Sequence, residues 1–319
     1  FILGGELQGS QLGARLGKSP YCVVEADESD ASFLELRPYI AVITNIEDDH
    51  LDFYGSTENI LKAFRRYFDC VKNGGFALVC GDDTEVQKLL AQEVSSRVVT
   101  YGEGTANDYY FTDWEAREMG SRCQVFKRGL RLGSLHLSVP GRHNTLNAIA
   151  AVAAACELGL PYEPAARALQ EFSGAKRRFH LVGQKNDITV IDDYAHHPTE
   201  IEATIAAARQ AHKGRLTVIF QPHRFTRTQL MGERLGKSLV GADTVFVTDI
   251  YSAGEPVIPG ITAQIVYDAA RGAEAKVYYV PDKEALAPLV AGQSQKGDLI
   301  ITMGAGDVWK LGPIILEKI

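Results

Sequence analysis

The sequence has no apolar run of the length that a membrane-spanning helix needs, which is ~20 residues. It also has no C-x-x-C pair among its five cysteines, Cys22, Cys70, Cys80, Cys123 and Cys156. Scattered cysteines without metal-ligand spacing argue against a zinc site and against a disulfide-stabilised secreted domain. We therefore predict a cytoplasmic protein whose cysteines are reduced and act as small buried apolar residues.

Positive charge is not in excess either. The 33 Lys and Arg residues are outnumbered by 40 Asp and Glu residues, and the formal net charge is −7. This balance argues against a general nucleic-acid binder and against a protein that binds anionic membranes, although it is compatible with a local basic site. The 319 residues, of which 45% are hydrophobic and 23% charged, suit a globular protein of two domains. The oligomeric state is left open between monomer and homodimer.

Strand-like apolar runs alternate with helical patterns through the first half of the chain. The predicted strands are YCVVEA, YIAVITN, FALVC and RVVTYG, and the predicted helices are TENILKAFRRYFDCVK, DTEVQKLLAQEV, HNTLNAIAAVAAACELG and YEPAARALQEF. Within this half, residues 109–139 consist of short alternating segments with glycine turns, which are typical of an antiparallel meander.

The composition changes at SGAKRR, residues 173–178, which has the character of a linker. We place the domain boundary there, with one domain at residues 1–174 and the other at residues 175–319. Beyond the boundary, helical segments alternate with the strands ITVIDD, LTVIF, TVFVTDI, KVYYV and DLIITM. This alternation predicts a mostly parallel, doubly wound α/β sheet.

Acidic residues cluster where the first predicted strand ends. The cluster contains Glu25, Asp27, Glu28 and Asp30, and a second acidic segment, NIEDDHLD, follows the next strand. Two unit charges about 4 Å apart repel by about 4 kcal/mol at a protein-like dielectric, so either water surrounds the cluster or a cation binds in it. Glu25 and His50 are placed to share Mg²⁺, and the imidazole is compatible with Mn²⁺ as well. The alternative is an acidic helix N-terminus, with Asp30 and Ser32 serving the turn.

Polar residues follow the strands of the second half in the same way. DDYAHHPTE follows ITVI, and QPHRFTRT, with His223, Arg224 and Arg227, follows LTVIF. Ligands of open α/β sheets bind outside the carboxyl ends of the strands, and guanidinium groups match carboxylate or phosphate. An acid, two histidines and two arginines around one crevice therefore predict a site for an anionic group, with solvated loop residues as the alternative. GAGD, after DLIITM, predicts a tight turn, because the full G-x-G-x-x-G pattern is absent.

PGRHNTLNA places His143, Asn144 and Asn147 at the start of a predicted helix. Amides three residues apart share one face of a helix, where they are able to bind the edge of a nucleotide base. Capping of the helix by Asn144 is the alternative interpretation.

Seven segments, taken in order, resemble the motifs of the Mur ligase family, and they extend over essentially the whole chain. They are EADESDASF, TNIEDDHLDFYG, PGRHNTLNA, RRF, DDYAHHPTE, FQPHRFTRT and GAGDVWKLG. EADESDASF and HHPTE favour the branch that joins L-alanine to UDP-N-acetylmuramate. The resemblance implies a central P-loop-type ATPase domain, here incomplete, followed by a Rossmann-like domain that binds the amino acid and closes over ATP. The family's phosphate-binding loop, GTHGKT, has no counterpart in the 319 residues, so we expect a fragment that does not ligate by itself.

The resemblance also implies three sets of functional residues. The metal-binding set consists of Glu25 and His50. The nucleotide-binding set consists of His143, Asn144, Asn147, Arg178 and Asp193. The set for L-alanine and phosphate consists of Tyr194, His196, His223, Arg224 and Arg227, among which His196, Arg224 and Arg227 are the catalytic candidates.

The implied reaction uses ATP to convert the lactyl carboxylate of UDP-N-acetylmuramate into an acyl phosphate, which the amine of L-alanine then attacks. A neutral histidine, with His196 as the candidate, would orient or deprotonate the amine. The expected partners are these small molecules, with no nucleic acid and no membrane. A metal-dependent phosphoester hydrolase and a nucleotide-binding module without turnover are the competing hypotheses.

Overall fold

In the part of the chain that the structure describes, each half contains a sheet of six strands. The computed structural model describes residues 1–7, 13–272 and 275–319. Two units separate in these residues: the first contains Phe1–Glu6 and continues to Ser173, and the second contains Gly174–Ile319. The mixed α/β content and the two mostly parallel sheets confirm the predicted fold class. No described helix has both the length and the apolar character needed to cross a bilayer.

The first sheet follows the order of the chain. Its strands are β1 (Ile40–Ile43), β2 (Phe76–Cys80), β3 (Arg97–Gly102), β4 (Tyr109–Arg117), β5 (Gly120–Lys127) and β6 (Leu130–Leu137). β1 to β4 pair in parallel, whereas β5 pairs antiparallel with both β4 and β6. Short hairpin turns connect the last three strands, so the predicted meander is confirmed.

Helices cover both faces of this sheet. They are α1 (Leu51–Tyr54), α2 (Thr57–Asp69), α3 (Thr84–Leu90), α4 (Arg142–Glu157) and α5 (Tyr162–Glu171), with a 3-10 turn at Ser32–Glu35. α2 begins where the Ser56 side chain accepts a hydrogen bond from the backbone of Asn59, and Asp83 caps α3 in the same way. Every side chain of β2 is buried, because one core packs it on α2 and α3 and another packs it on α4.

The prediction of a strand at YCVVEA is wrong. Residues 21–26 contain a single parallel bridge, between Ile2 and Val24, and no strand of the sheet. Val23 is 68% exposed, and Cys22 is exposed as well, so the prediction of a buried thiol is wrong for Cys22. An apolar run becomes a strand where neighbouring backbone pairs along its length, and among the described residues Ile2 alone pairs with this run.

The second sheet contains β7 (His180–Lys185), β8 (Ile188–Asp193), β9 (Leu216–Phe220), β10 (Thr244–Val247), β11 (Lys276–Tyr279) and β12 (Leu299–Met303). The strand order is β11-β10-β9-β12-β8-β7. All neighbours pair in parallel except β7, which runs antiparallel to β8 at the edge. The last strand in the chain thus lies between β8 and β9, as in a doubly wound sheet.

The helices of the second unit are α6 (Pro198–Ala211), α7 (Phe225–Ser238), α8 (Gln264–Ala270), α9 (Lys283–Gln293) and α10 (Leu311–Lys318), with a 3-10 turn at Val308–Lys310. β7 and α10 are absent from the sequence prediction. α10 is short and contains Gly312 and Pro313, so its stability depends on packing. Leu311 and Ile315 of α10 pack in one core with Val190 of β8 and Leu286 of α9. Lys185 of β7 adds a hydrogen bond from its Nζ to the carbonyl of Leu316 at 2.9 Å.

Candidate active site

Asp27 and Asp30 build the turn that follows the bridge at Val24. Asp27 Oδ1 accepts a hydrogen bond from the backbone of Ser29 at 2.8 Å, and Asp30 Oδ1 accepts one from the backbone of Ser32 at 2.9 Å. Hydrogen bonding to Ser32 lowers the pKa of Asp30. Because Ser32 begins the 3-10 turn, the prediction that Asp30 and Ser32 serve the turn is confirmed.

Glu25 and His50, the predicted metal ligands, each have partners in the first unit. Glu25 Oε2 accepts a hydrogen bond from the backbone N–H of Gly4 at 2.7 Å. His50 Nε2 lies 3.4 Å from Glu28 Oε1 and 3.6 Å from Asp49 Oδ2. Carboxylate oxygens with one imidazole nitrogen are a donor set that suits a divalent cation such as Mg²⁺ or Mn²⁺. The chemistry of the donors therefore fits, and ligation by Glu25 and His50 stays a prediction.

His143, Asn144 and Asn147 lie in the first two turns of α4. The residue before the helix is Gly141, whose φ of +100° is easily adopted only by glycine. Asn144 Nδ2 donates to the carbonyl of Pro140 at 2.7 Å from inside the helix, so the alternative that Asn144 caps α4 is wrong. Asn144 and Asn147 share a helical face, and their contact with a base stays a prediction.

The predicted set for L-alanine and phosphate lies at one edge of the second sheet. β8, β12, β9 and β10 are parallel neighbours, so their carboxyl ends meet at the same edge. Tyr194 and His196 follow β8, His223 and Arg224 follow β9, and Arg227 lies in the first turn of α7. Tyr251, which is outside the predicted set, follows β10. These side chains are therefore brought together as expected for ligand sites in open sheets.

The Asp193 carboxylate is hydrogen-bonded to backbone N–H groups of its own unit. Its side chain is 5% exposed, and its two oxygens accept hydrogen bonds from the backbone of Phe179 at 2.7 Å and of Ala195 at 2.8 Å. Burial raises the pKa of Asp193 to about 6, although these N–H groups act in the opposite direction. This geometry fixes the segments that carry Arg178 and Tyr194, so Asp193 holds them in place, and its contact with the nucleotide stays a prediction.

Two guanidinium groups lie against the ring of Tyr194. Cζ of Arg177 is 4.7 Å from the ring centroid, and Cζ of Arg178 is 5.6 Å from it. Arg177 is also tied down by Asp192 at 3.1 Å and by the carbonyl of Gly304 at 2.6 Å. The Arg178 side chain is 56% exposed, and its Nη1 pairs with Glu200 Oε1 at 3.2 Å. Of the two arginines, Arg178 is therefore the more accessible to a ligand.

His196 is held by Glu200. Nδ1 of His196 lies 2.9 Å from the carbonyl oxygen of Tyr194 and 3.2 Å from Glu200 Oε2. Burial acts to raise the pKa of Glu200, but His196, Arg178 and the N–H groups of His196 and His197 outweigh it and lower the pKa. A carboxylate in this position stabilises an imidazolium when His196 takes up a proton.

His223 is neutral at pH 7. Burial lowers the pKa of its imidazole to about 4, and the charges of His196, Arg227 and Arg224 act in the same direction. Nδ1 of His223 is buried and has no hydrogen-bond partner among the residues that the structure describes. A neutral imidazole carries one N–H and one acceptor nitrogen, so His223 provides an uncharged polar group beside two arginines.

The start of α7 fixes the two arginines. Arg224 has a φ of +67°, and its carbonyl accepts hydrogen bonds from Thr228, from N at 3.2 Å and from Oγ1 at 2.9 Å. Glu255 accepts from Thr226, from N at 3.1 Å and from Oγ1 at 2.6 Å. A carboxylate at a helix N-terminus also interacts favourably with the helix dipole. These contacts hold the turn from which Arg227 projects.

Four residues of this edge are missing from the predicted site: Arg177, Glu200, Tyr251 and Glu255. Glu200 lies in HHPTE, and Tyr251 and Glu255 lie in YSAGE directly after a predicted strand, so the strand-end criterion contained the signal. Arg177 precedes Arg178 in RRF, and a sequence does not tell which carboxylate each of two adjacent arginines pairs with, here Asp192 for Arg177 and Glu200 for Arg178.

Comparison with known proteins gives the family. Residues 7–155 match the family model described as Mur ligase middle domain, and residues 177–306 match the one described as Mur ligase, glutamate ligase domain. The UDP-N-acetylmuramate–L-alanine ligase of Syntrophomonas wolfei is 54% identical over 319 residues, which cover 99% of this chain and 69% of that relative.

Solved structures agree with this assignment. The crystal structure of UDP-N-acetylmuramate-alanine ligase MurC from Thermotoga maritima matches with a TM-score of 0.79 and 29% identity, over 99% of this chain and 68% of that one. A MurF ligase from Thermotoga maritima in complex with ADP shares the fold, with a TM-score of 0.72 and 20% identity over 90% of this chain and 64% of that one. The chain therefore belongs to the Mur ligase family.

Proposed function

We propose that this protein is an ATP-dependent ligase that joins L-alanine to UDP-N-acetylmuramate. A relative named for this activity supports the substrate pair, since its similarity extends over 99% of the chain. The observation that carries the proposal is the combination of Arg224, Arg227 and a neutral His223 at one sheet edge. Such a combination suits an amino acid and a phosphorylated carboxyl group, which bring anionic oxygens and an amine to the same place.

Arg224 and Arg227 serve the anionic groups of the reaction. A guanidinium group donates paired N–H bonds to carboxylate or phosphate oxygens, which a lysine does not. The two arginines lie three residues apart at the start of α7, where the helix dipole also favours an anion. The carboxylate of L-alanine and the phosphate of the acyl phosphate are the groups that they bind.

His223 and His196 serve the amine. As the amine nitrogen of L-alanine bonds to the acyl carbon, the bond from that carbon to the phosphate oxygen breaks and phosphate leaves. The nitrogen also loses a proton, so an acceptor must be within reach. His223 is uncharged and orients the amine, while His196 takes up the proton and becomes an imidazolium. The positive charge is then stabilised by Glu200, whose Oε2 lies 3.2 Å from Nδ1 of His196.

Glu25 and His50 would hold Mg²⁺, or Mn²⁺, on the first unit. The hydrogen bond from Gly4 at 2.7 Å fixes the Glu25 carboxylate through one oxygen, and carboxylate with imidazole is a suitable donor set. A bound divalent cation neutralises charge on the phosphates of ATP. Asn144 and Asn147, with His143 beside them, bind the base of ATP. In the second unit, Arg178 and Asp193 are the nucleotide-binding candidates, and Asp193 fixes the segment that carries Arg178.

The test is ligation by the protein at its natural length, measured as phosphate released for each L-alanine incorporated. We expect release to require ATP, UDP-N-acetylmuramate and L-alanine together. Glu25→Ala and His50→Ala should each reduce turnover by orders of magnitude with an unchanged circular dichroism spectrum, and Glu118→Gln, at an exposed acid of the same unit, should have no effect. Arg227→Lys should also lose turnover, because lysine lacks the planar fork.

Three results would count against these assignments. Unchanged kinetics of Glu25→Ala and His50→Ala would reject the metal site. Phosphate release from a simple ester without ATP or amine would favour a hydrolase. Calorimetric binding of ATP with Mg²⁺, without turnover in the presence of both other substrates, would favour a nucleotide-binding module.

A further inference from the structure

We propose that Tyr251, held by the glycine turn after β12, is the positioning residue of His223 and thereby sets the amino-acid subsite of the second unit. The amino acid in this statement rests on the proposed function. The positioning of His223 by Tyr251 stands on the geometry of one unit and can be tested without catalysis.

Tyr251 and His223 are joined through both ring and backbone. Their rings are stacked, with centroids 5.7 Å apart and an interplanar angle of 10°. The two residues also form a parallel bridge, in which the N–H of Tyr251 donates to the carbonyl of Pro222 at 2.9 Å and the N–H of Arg224 donates to the carbonyl of Tyr251 at 2.8 Å. Pairing of β9 with β10 is thus continued past the strand ends, and it places the two rings in register.

The turn after β12 packs closely against the Tyr251 ring. A Cβ atom added to Gly306 would lie 2.6 Å from Cγ of Tyr251 and 2.4 Å from Oε1 of Gln221, closer than real Cβ contacts allow. Gln221 fixes this turn by two hydrogen bonds. Its Oε1 accepts one from the backbone N–H of Val308 at 3.0 Å, and its Nε2 donates one to Asp307 Oδ1 at 3.1 Å. Glycine at position 306 is therefore required for the turn to approach the Tyr251 ring this closely.

A stacked tyrosine controls two properties of the imidazole that it covers. It excludes water from one face, which contributes to the burial that keeps His223 uncharged. It also fixes the plane of the ring, so that the amine meets an acceptor whose orientation has already been set. His196 touches the same imidazole at 5.9 Å with an interplanar angle of 70°, so rotation of His223 would change its contact with His196 as well.

The kinetic test compares Tyr251→Leu with Tyr251→Phe and with a matched control. Tyr278 is the control residue, because it is 39% exposed against 38% for Tyr251 and stacks on Phe246 at 5.1 Å and 17°. We expect Tyr251→Leu to raise KM for L-alanine by about three- to tenfold, the range that an aromatic pair contributes, with little change in kcat or in KM for ATP. Tyr251→Phe and Tyr278→Leu should both stay close to wild type.

The second readout is the NMR titration of the His223 imidazole, which requires no substrate. We expect an apparent pKa near the wild-type value of about 4 in Tyr251→Phe and Tyr278→Leu. In Tyr251→Leu it should rise towards the ordinary value of about 6.5. Gly306→Ala should raise both the His223 pKa and the KM for L-alanine, as Tyr251→Leu does. Gly292→Ala, where an added Cβ has no neighbour within 4 Å, should change neither.

A folded Tyr251→Leu whose His223 pKa and KM for L-alanine equal those of Tyr278→Leu would overturn the proposal. If Tyr251→Leu does not fold, Gly306→Ala decides in its place by the same two readouts. If the wild-type protein does not ligate L-alanine but Tyr251→Leu still shifts the His223 pKa, the proposed function is refuted and the positioning role is supported. If the wild-type protein ligates normally but Tyr251→Leu changes neither the His223 pKa nor the KM for L-alanine, the positioning role is refuted and the proposed function is supported.

Discussion

Replacing Glu157 by glutamine should destabilise the first unit in a pH-dependent way. Glu157 ends α4 with its side chain 7% exposed, and its oxygens accept hydrogen bonds from Lys127 Nζ at 2.9 Å, from the hydroxyl of Tyr109 at 2.9 Å and from Arg97. Burial acts to raise the pKa of Glu157, but these three donors outweigh it and lower the pKa to about 2. The folded unit therefore favours the ionised carboxylate strongly.

The difference between the folded and unfolded pKa sets the magnitude. A shift from 4.5 to about 2 in Glu157 corresponds to roughly 3 kcal/mol of stability. Because the folded pKa is the lower one, this contribution is fully present above about pH 4.5 and is lost as the pH falls towards 2. Glutamine retains an acceptor oxygen but removes the charge, so we expect the free energy of unfolding at pH 7 to fall by about 2–3 kcal/mol.

Urea unfolding followed by tryptophan fluorescence gives the measurement for the first unit alone. The chain has two tryptophans, and Trp309→Phe leaves Trp114 of β4 as the reporter. We expect Glu157→Gln to differ from the parent at pH 7 and to approach it near pH 3, while Glu118→Gln should match the parent throughout. A difference that is equally large at pH 7 and pH 3, or one no larger than that of Glu118→Gln, would refute the reasoning.

Three further predictions concern single residues. In the second unit, burial raises the pKa of Asp193 from 3.8 to about 6, so between these pH values the folded state binds more protons than the unfolded state. The free energy of unfolding should therefore fall by up to about 3 kcal/mol as the pH rises from 3.8 to about 6. Asp193→Asn should abolish this pH dependence in urea unfolding, and a pH dependence that persists would assign it to another group. Gly75→Ala should prevent stable folding of the first unit, because the added Cβ would lie 2.1 Å from the carbonyl oxygen of Tyr39; a melting temperature equal to that of the parent would contradict this. Cys22 should react quickly with a thiol reagent in the folded protein, whereas Cys123, whose pKa burial raises to about 12, should react only on unfolding; equal rates would contradict the assigned burial.

Local pattern was sufficient for the elements that carry their own start signals. α2 and α3 follow Ser56 and Asp83, whose side chains cap them, and both helices were predictable from spacing and composition. α10 has no such signal and depends on packing against β8 and α9, with the edge strand β7 beside it. The run at residues 21–26 fails for the opposite reason, since its apolar composition resembles a strand although, among the described residues, its backbone forms a bridge only at Val24.

The same distinction applies to the site. Residues after parallel strands converge because pairing aligns the strand ends, so His196, His223 and Arg224 were predictable from their positions in the sequence. What sequence position does not give is the direction of each side chain. Asp192 and Asp193 are adjacent, yet one pairs with Arg177 and the other accepts two backbone hydrogen bonds. Both acids are buried, and the partner that each of them finds depends on tertiary contacts.

In the proposed reaction, Arg224 and Arg227 act on His223 as well as on the substrate. Their positive charges, together with burial and His196, lower the pKa of His223. An anion bound by the arginines offsets those charges and raises that pKa, and by linkage a proton on His223 strengthens anion binding to the same degree. Before the anion arrives, His223 is held as an uncharged acceptor. Once a carboxylate or phosphate is bound, the imidazole of His223 becomes a stronger hydrogen-bond acceptor for the amine. Binding of the anion and orientation of the amine are thus coupled through Arg224 and Arg227.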